Sequence, residues 1–404
     1  MKRIIIFITS LLLLFGCGKV EDNKDLNDAE PSKTGGNIED NNKGNEKTDD
    51  KDENYEIENK IKGILKNMTI EEKTGQLFLV RCPLEDKADF YLSMNPGGFI
   101  MFGRDFANKT KDQVIDNIQG FQSKTKIPMI IGVDEEGGEV VRVSSNPLLS
   151  KERFKSPQEL YELGGFEEIG KDTINKSKLL LELGINLNLA PVADVSVNET
   201  DFMHGRSFGK DANKTAEYIK AVVNAMKELN STEDIKISGA LKHFPGYGNN
   251  IDTHTGSAYE TRPCALVVNN DFLPFMAGIE AGIESVLVSH NIVESIDSNF
   301  PASLSKKVID ILRDELNFNG IIMTDDLSMG AIKKLNTCKE PEILAIEAGN
   351  DMLIVTDFEI SYNILLNAEK EGIISEERIN ESVTRILMWK YNSGIIDENS
   401  QVIR

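Results

Sequence analysis

The segment Lys242-His-Phe-Pro-Gly-Tyr-Gly-Asn-Asn-Ile-Asp-Thr-His-Thr-Gly256 concentrates side chains that can move protons. Lys242 and His243 open it, turn-forming Gly246, Gly248 and Asn249 follow, and Asp252 stands two residues before His254. An extended Asp-x-His places both side chains on one side. A carboxylate that hydrogen-bonds one imidazole nitrogen then fixes the tautomer and leaves the other nitrogen for proton transfer. A lone Asp-x-His is more often a solvated loop, but this chain has four histidines, His204, His243, His254 and His290, and all fall in turn-rich or strand-end segments.

Asp325 follows the apolar run 320–324, in Thr324-Asp-Asp-Leu-Ser-Met-Gly330. A carboxylate at the end of a buried strand can act as a nucleophile. Its neighbour Asp326 suits the cap of a following helix. In Val133-Asp-Glu-Glu-Gly-Gly-Glu-Val-Val-Arg142, Asp134 ends another apolar run and Arg142 lies beyond a Gly-Gly turn, a pattern equally open to a surface ion pair. His204-Gly-Arg-Ser-Phe-Gly209 sets Arg206 in a glycine-flanked loop, where it either meets a ligand or ties the loop down.

Bringing these groups together requires strands that end on one rim. Eight apolar runs read as buried strands, at 76–81, 97–102, 128–133, 185–190, 236–241, 285–289, 320–324 and 351–355. Helical patterns such as Lys111–Ser123, Asn213–Leu229 and Ser305–Glu315 lie between them, and such alternation implies a parallel sheet. The expected class is α/β, a (β/α)8 TIM-type barrel over residues 55–404, with an open doubly wound sheet as the alternative. Charged or polar residues follow almost every run, among them Arg81, Arg104, Asp134, Asp194, His290 and Asp357. That recurrence favours the barrel, whose working residues sit at the C-terminal strand ends. Ser375–Lys390, with acidic residues after a capping serine, reads as a C-terminal helix completing a single catalytic domain.

Composition narrows the partners. Forty-five basic against 66 acidic residues give a net charge of −21, which leaves no basic footprint for nucleic acid. Four cysteines, Cys17, Cys82, Cys264 and Cys338, show neither metal-ligand spacing nor a disulfide framework, and no metal or cofactor is expected. Cys82, Cys264 and Cys338 read as buried apolar residues. Met1-Lys2-Arg3 followed by an apolar run to Phe15 is too short to span a bilayer and reads as a signal peptide over 1–17. Its end, Leu14-Phe15-Gly16-Cys17, resembles a bacterial lipobox, in which the cysteine is lipidated. That resemblance implies attachment to the extracytoplasmic face of the cell membrane. Residues 18–54 carry 12 acidic residues against 6 lysines and almost nothing apolar, which suits a solvated tether.

The ordered set Gly97-Gly-Phe-Ile-Met-Phe102, Asp134-Glu-Glu-Gly-Gly138, Asn188-Leu-Ala-Pro-Val-Ala-Asp194, Arg206-Ser-Phe-Gly209, Lys242-His-Phe-Pro-Gly246, Asp252-Thr-His254, Pro301-Ala-Ser-Leu-Ser305, Thr324-Asp-Asp-Leu-Ser-Met329 and Ala348-Gly-Asn-Asp-Met352 resembles glycoside hydrolase family 3, in its bacterial β-N-acetylglucosaminidase branch. The resemblance implies Asp325 as nucleophile, His254 as general acid/base and Asp252 as its orienting partner. It further implies that Asp134, Arg142, Arg206, Lys242 and His243 bind the terminal sugar, with His290 lining the site. The implied substrate is an N-acetylglucosamine-containing saccharide, peptidoglycan fragments included, handled by a monomer. Two positions depart from the family pattern: Tyr247 replaces a usual histidine, and Glu135 stands where glutamine is common. Rival readings are a phosphorylase or β-glucosidase of the same family, a metal-dependent hydrolase using His243 and His254, and a lipoprotein that binds glycan without cleaving it.

Overall fold

Each of the eight apolar runs overlaps a strand in the computed structural model, the fifth strand extending past its run through Lys242 and His243 to Phe244; the structure describes residues 49–254 and 256–396, with side chains from residue 55. The strands are β1 (Phe78–Arg81), β2 (Gly98–Met101), β3 (Ile130–Val133), β4 (Leu187–Asn188), β5 (Ser238–Phe244), β6 (Tyr259–Glu260), β7 (Ser285–Val288), β8 (Ile292–Val293), β9 (Ile321–Thr324) and β10 (Leu353–Val355). Eight of them form one sheet in the order β10-β1-β2-β3-β4-β5-β7-β9, with parallel pairing throughout. A parallel bridge between Met323 and Met352 joins the two ends, so the sheet closes into the (β/α)8 barrel. Helices cover its outer face, so the strands are buried on both sides, which is why they read as unbroken apolar runs. The β6–β8 pair lies outside the barrel. Strands of two residues leave no period to detect.

The expected helices form at Lys111–Gln122, Ala212–Asn230 and Glu376–Asn392, and Ser305 caps a helix that begins at Lys306. Thr110, Asp211 and Ser375 accept backbone N–H groups at the starts of the first three. The first helix, Asp49–Asn67, starts ahead of the boundary read at Tyr55. Part of the acidic stretch therefore lies within a helix. The signal segment 1–17, Cys17 and the tether up to residue 48 lie outside the described residues. Of the described cysteines Cys82 is buried, Cys264 is half-buried and Cys338 is exposed, so burial holds only for the first.

The last helix seals the end of the barrel at which the strands begin. Trp389 Nε1 donates to Ser238 Oγ at 2.9 Å, and Arg378 Nη2 donates to the Asn350 carbonyl at 2.7 Å. Lys390, fully buried, donates to Gln76 Oε1 at 2.7 Å. Burial with a neutral partner depresses its pKa to about 7. The unfolded chain therefore binds this proton more readily than the folded one between pH 7 and the ordinary lysine value, and the resulting penalty shrinks as pH rises through that window. Melting temperature should rise from pH 7 to pH 9 more steeply in the wild type than in Lys390→Met; parallel slopes would refute the assignment.

Candidate active site

Because all barrel strands run the same way, β3, β5 and β9 deliver Asp134, Lys242, His243 and Asp325 to one rim. These four, with Arg142, Arg206 and His254, line a cavity of about 470 Å³, within the range of small-molecule sites. The cavity holds a network of paired charges. Lys242 Nζ donates to Asp134 Oδ1 and meets Glu136 Oε1, each at 2.6 Å. Arg206 engages Glu136 through Nε at 3.0 Å and Nη2 at 2.6 Å, the two-pronged geometry that guanidinium favours. Burial would push the Glu136 carboxyl up, but Lys242 and Arg206 outweigh it and hold it at about 2. Burial likewise opposes charge on Lys242, and Asp134 and Glu136 hold its pKa above the ordinary lysine value. Two cations balance two anions, so the side chains are fixed before any ligand arrives, at no cost of an unpaired buried charge.

Glu136 is absent from the residues picked out in the sequence, although the signal existed: positions two apart in extended chain face the same way, so Asp134 and Glu136 pair off while Glu135 points elsewhere. The Glu135 carboxylate, wholly buried, accepts the N–H groups of Arg142 and Val143, each at 2.7 Å, and of Ser144 at 3.1 Å. It clamps the turn that carries Arg142. Asp194 was legible only as a polar residue after a strand; it positions His243, with Oδ2 2.8 Å from Nδ1, while Oδ1 accepts the Tyr247 N–H at 2.8 Å. The other ring nitrogen, His243 Nε2, lies 3.5 Å from Arg206 Nη2.

Asp325 leaves β9 with its N–H donating to the Val288 carbonyl at 2.9 Å, and its Oδ1 accepts the Asp326 N–H at 2.8 Å. Burial raises its pKa, yet His290, His243, that N–H and His254 together bring it below the ordinary carboxylate range. The group is thus held as an anion. Asp326 also lines the cavity but is engaged, accepting from the Ser328 N–H at 2.8 Å and Thr356 Oγ1 at 2.9 Å. His290 corrects the sequence reading. It is fully buried and does not line the cavity, because Nδ1 is engaged by Ser303 Oγ at 2.7 Å and Nε2 by the Asp326 carbonyl at 3.0 Å. It supports Asp325 from behind.

His254 reaches the cavity on the loop after β5. Asp252 Oδ1 accepts the His254 N–H at 2.9 Å and lies 2.7 Å from Nδ1, so the pair forms a turn closed by the aspartate side chain, not an extended Asp-x-His. The consequence for the ring is unchanged: Nδ1 is engaged and proton transfer falls to Nε2. The His254 side chain is 65% exposed, which gives it access to a departing group in the cavity mouth. The loop docks on the segment after Asp325, since Gly330 N–H donates to the His254 carbonyl at 3.2 Å and Ala331 N–H to that of Thr253 at 3.1 Å. Buried Tyr247 packs edge-on to the His243 ring, and its hydroxyl bonds Thr253 Oγ1, linking the end of β5 to the loop. Gly248 has φ +57°, and a Cβ there would collide with Glu260 and the Arg262 guanidinium, which anchor the start of the loop.

Elsewhere on the same rim Arg81 and Arg142 flank Phe102, with guanidinium carbons 4.6 and 5.8 Å from the ring centroid. Both line the cavity. No group of three or more His, Cys, Asp or Glu side chains suited to a metal ion occurs among the described residues. The arrangement offers an ionised carboxylate, a carboxylate-oriented imidazole and a pre-paired set of hydrogen-bonding charges around one cavity, which suits covalent catalysis with acid/base assistance on a polyhydroxy ligand.

Comparison with known proteins supplies the family and the fold's relatives. The profile described as "Glycosyl hydrolase family 3 N terminal domain" matches residues 69–389. The beta-hexosaminidase of Actinobacillus pleuropneumoniae serotype 3 (strain JL03) is 30% identical over 291 residues, which span 69% of this chain and 75% of that protein. The beta-hexosaminidase of Glaesserella parasuis serovar 5 (strain SH0165) is 29% identical over 260 residues, 64% of this chain and 73% of the other. A solved glycoside hydrolase family 3 beta-N-acetylglucosaminidase from Paenibacillus sp. str. FPU-7 superposes with a TM-score of 0.74 at 28% identity, covering 81% of this chain and 63% of that one.

Proposed function

The chain belongs to glycosyl hydrolase family 3, and from that premise we propose that this glycoside hydrolase removes terminal β-linked N-acetylglucosamine with retention of configuration. The observation that carries the reading is the meeting, in one cavity, of ionised Asp325 and the Asp252-oriented His254. Asp325 attacks the anomeric carbon as His254 Nε2–H protonates the departing oxygen. The glycosidic C–O bond breaks and a glycosyl-aspartate ester forms. Neutral His254 then takes a proton from water, the hydroxide oxygen displaces Asp325, and both groups return to their starting states. Asp134, Lys242, Arg206 and His243 would hold the sugar hydroxyls, and Arg142 would close over them. A histidine in this role departs from the usual pair of carboxylates.

The proposed natural substrates are peptidoglycan-derived saccharides, with N-acetylglucosamine joined to N-acetylmuramic acid. Support for this comes from the beta-hexosaminidase relatives together with the charged start, short apolar run and Gly16-Cys17 of the sequence, which favour a lipid-anchored protein on the outer face of the membrane. The test is release of 4-nitrophenol from its β-N-acetylglucosaminide by the full chain, beside the β-glucoside. Turnover of the acetamido sugar in preference to glucose is expected, with free sugar as product in phosphate buffer. Preference for glucose, or accumulation of a sugar 1-phosphate, would overturn the substrate or the reaction respectively.

A further inference from the structure

The exposed ring of His254 has little packing of its own, so its place over the cavity has to come from the backbone that carries it. Two bonds of that backbone run toward Asp325's side of the rim: the Thr253 carbonyl accepts the Ala331 N–H at 3.1 Å and the His254 carbonyl the Gly330 N–H at 3.2 Å. Two points define an axis and leave rotation about it open. The third point is a side chain, Thr253, set between Asp252 and His254 and wholly buried, whose Oγ1 bonds the hydroxyl of Tyr247. Each of these two buried hydroxyls is the other's side-chain partner, so removing one leaves its mate unsatisfied.

Tyr247 itself is seated among the groups proposed to hold the sugar. Its N–H donates to Asp194 Oδ1 at 2.8 Å, and the other oxygen of that carboxylate lies 2.8 Å from His243 Nδ1. Its ring forms a small apolar cluster with Val192 and Met203, apart from the main core, and lies 6.0 Å from the ring of Phe202. Met203 Sδ accepts from Arg206 Nη1 at 3.7 Å. The ring is thus fixed at one end by the neighbours of His243 and Arg206, while its hydroxyl holds the residue beside His254.

We propose that Tyr247 is a positioning residue: through Thr253 it ties the placement of His254 to the end of β5, so that proton transfer depends on this one bond without either hydroxyl taking part in the chemistry. The proposal rests on the acid/base role given to His254 in the preceding subsection and deepens it. Misplacement of a reacting group by about 1 Å can cost about 100-fold in rate, so a single lost bond far from the anomeric carbon is enough to be read in kinetics.

Two variants remove the bond and keep the packing, Tyr247→Phe and Thr253→Val. Each should lower kcat/KM on β-1,4-linked di-N-acetylglucosamine by about 10- to 100-fold, chiefly through kcat. On 4-nitrophenyl β-N-acetylglucosaminide, whose leaving group needs no proton, the burst should keep nearly its wild-type rate while the later turnover slows. The double variant should be no worse than either single one, because both delete the same interaction. In a His254→Ala background Tyr247→Phe should cost nothing more, and Thr253→Ser, which keeps the hydroxyl, should retain most of the rate. Wild-type-like kinetics of Tyr247→Phe on the disaccharide would overturn the proposal. So would equal losses on the disaccharide and in the burst, or a loss that multiplies with that of His254→Ala, since either marks a merely structural role. Failure of the wild type to turn over any acetamido glycoside overturns the proposed function, and this coupling with it.

Discussion

Asp325→Ala is expected to lower turnover of a β-N-acetylglucosaminide by more than about 10⁴-fold, the scale on which removal of a covalent nucleophile acts. Substrate affinity should change far less, because the charges proposed to bind the sugar pair with one another and not with Asp325. Azide should restore part of the rate and yield the α-glycosyl azide, since the small anion occupies the space of the missing carboxylate and attacks from the same face. Asp325→Asn, which keeps size and shape, guards against an effect of folding. Wild-type-like hydrolysis by either variant would remove Asp325 from the mechanism. The low pKa of Asp325 carries a further consequence: this group stays ionised below the ordinary carboxylate range, so it should cause no loss of kcat/KM until the pH falls beneath that range.

His254→Ala should cost about 10²- to 10⁴-fold on a disaccharide, whose departing oxygen needs a proton as the bond breaks. On the 4-nitrophenyl glycoside the first step should suffer much less, because 4-nitrophenolate leaves without one. The second step still needs a base for water, so a burst of 4-nitrophenol followed by slow turnover is expected. Equal losses in both steps and on both substrates would instead indicate a residue that shapes the loop. Asp252→Asn should act more mildly and shift the basic limb of the pH profile, since Asp252 bears on proton transfer through Nδ1 of His254.

Much of this was written in the sequence in a form that chemistry can read. The barrel strands announced themselves because both faces are buried, and the strand-end charges marked the rim. What escaped depended on partners far away in the chain. Glu136 is one of three consecutive acids; alternation sets it on the side of Asp134, but its role comes from Lys242 and Arg206, which arrive from far along the chain. His290 looked like a rim residue because it follows β7 as Asp325 follows β9, but Ser303 and the Asp326 carbonyl claim both of its nitrogens. The Asp252–His254 pair was found, although by a different local geometry: the aspartate side chain captures the His254 N–H and bends the segment that alternation would have kept straight.

The helix Glu376–Asn392 also imposes an order in time. Gln76, at the threshold of the first strand, waits for Lys390, 314 residues later, and Ser238 waits for Trp389, 151 residues later. Asp351 acquires Arg385 from the same helix. During synthesis from the N-terminus, neither the first strand nor the fifth can gain these partners until nearly the whole chain has been made, and contacts between such distant residues form late because closing the intervening chain costs entropy. A nascent barrel of this design stays unsealed until its last helix arrives.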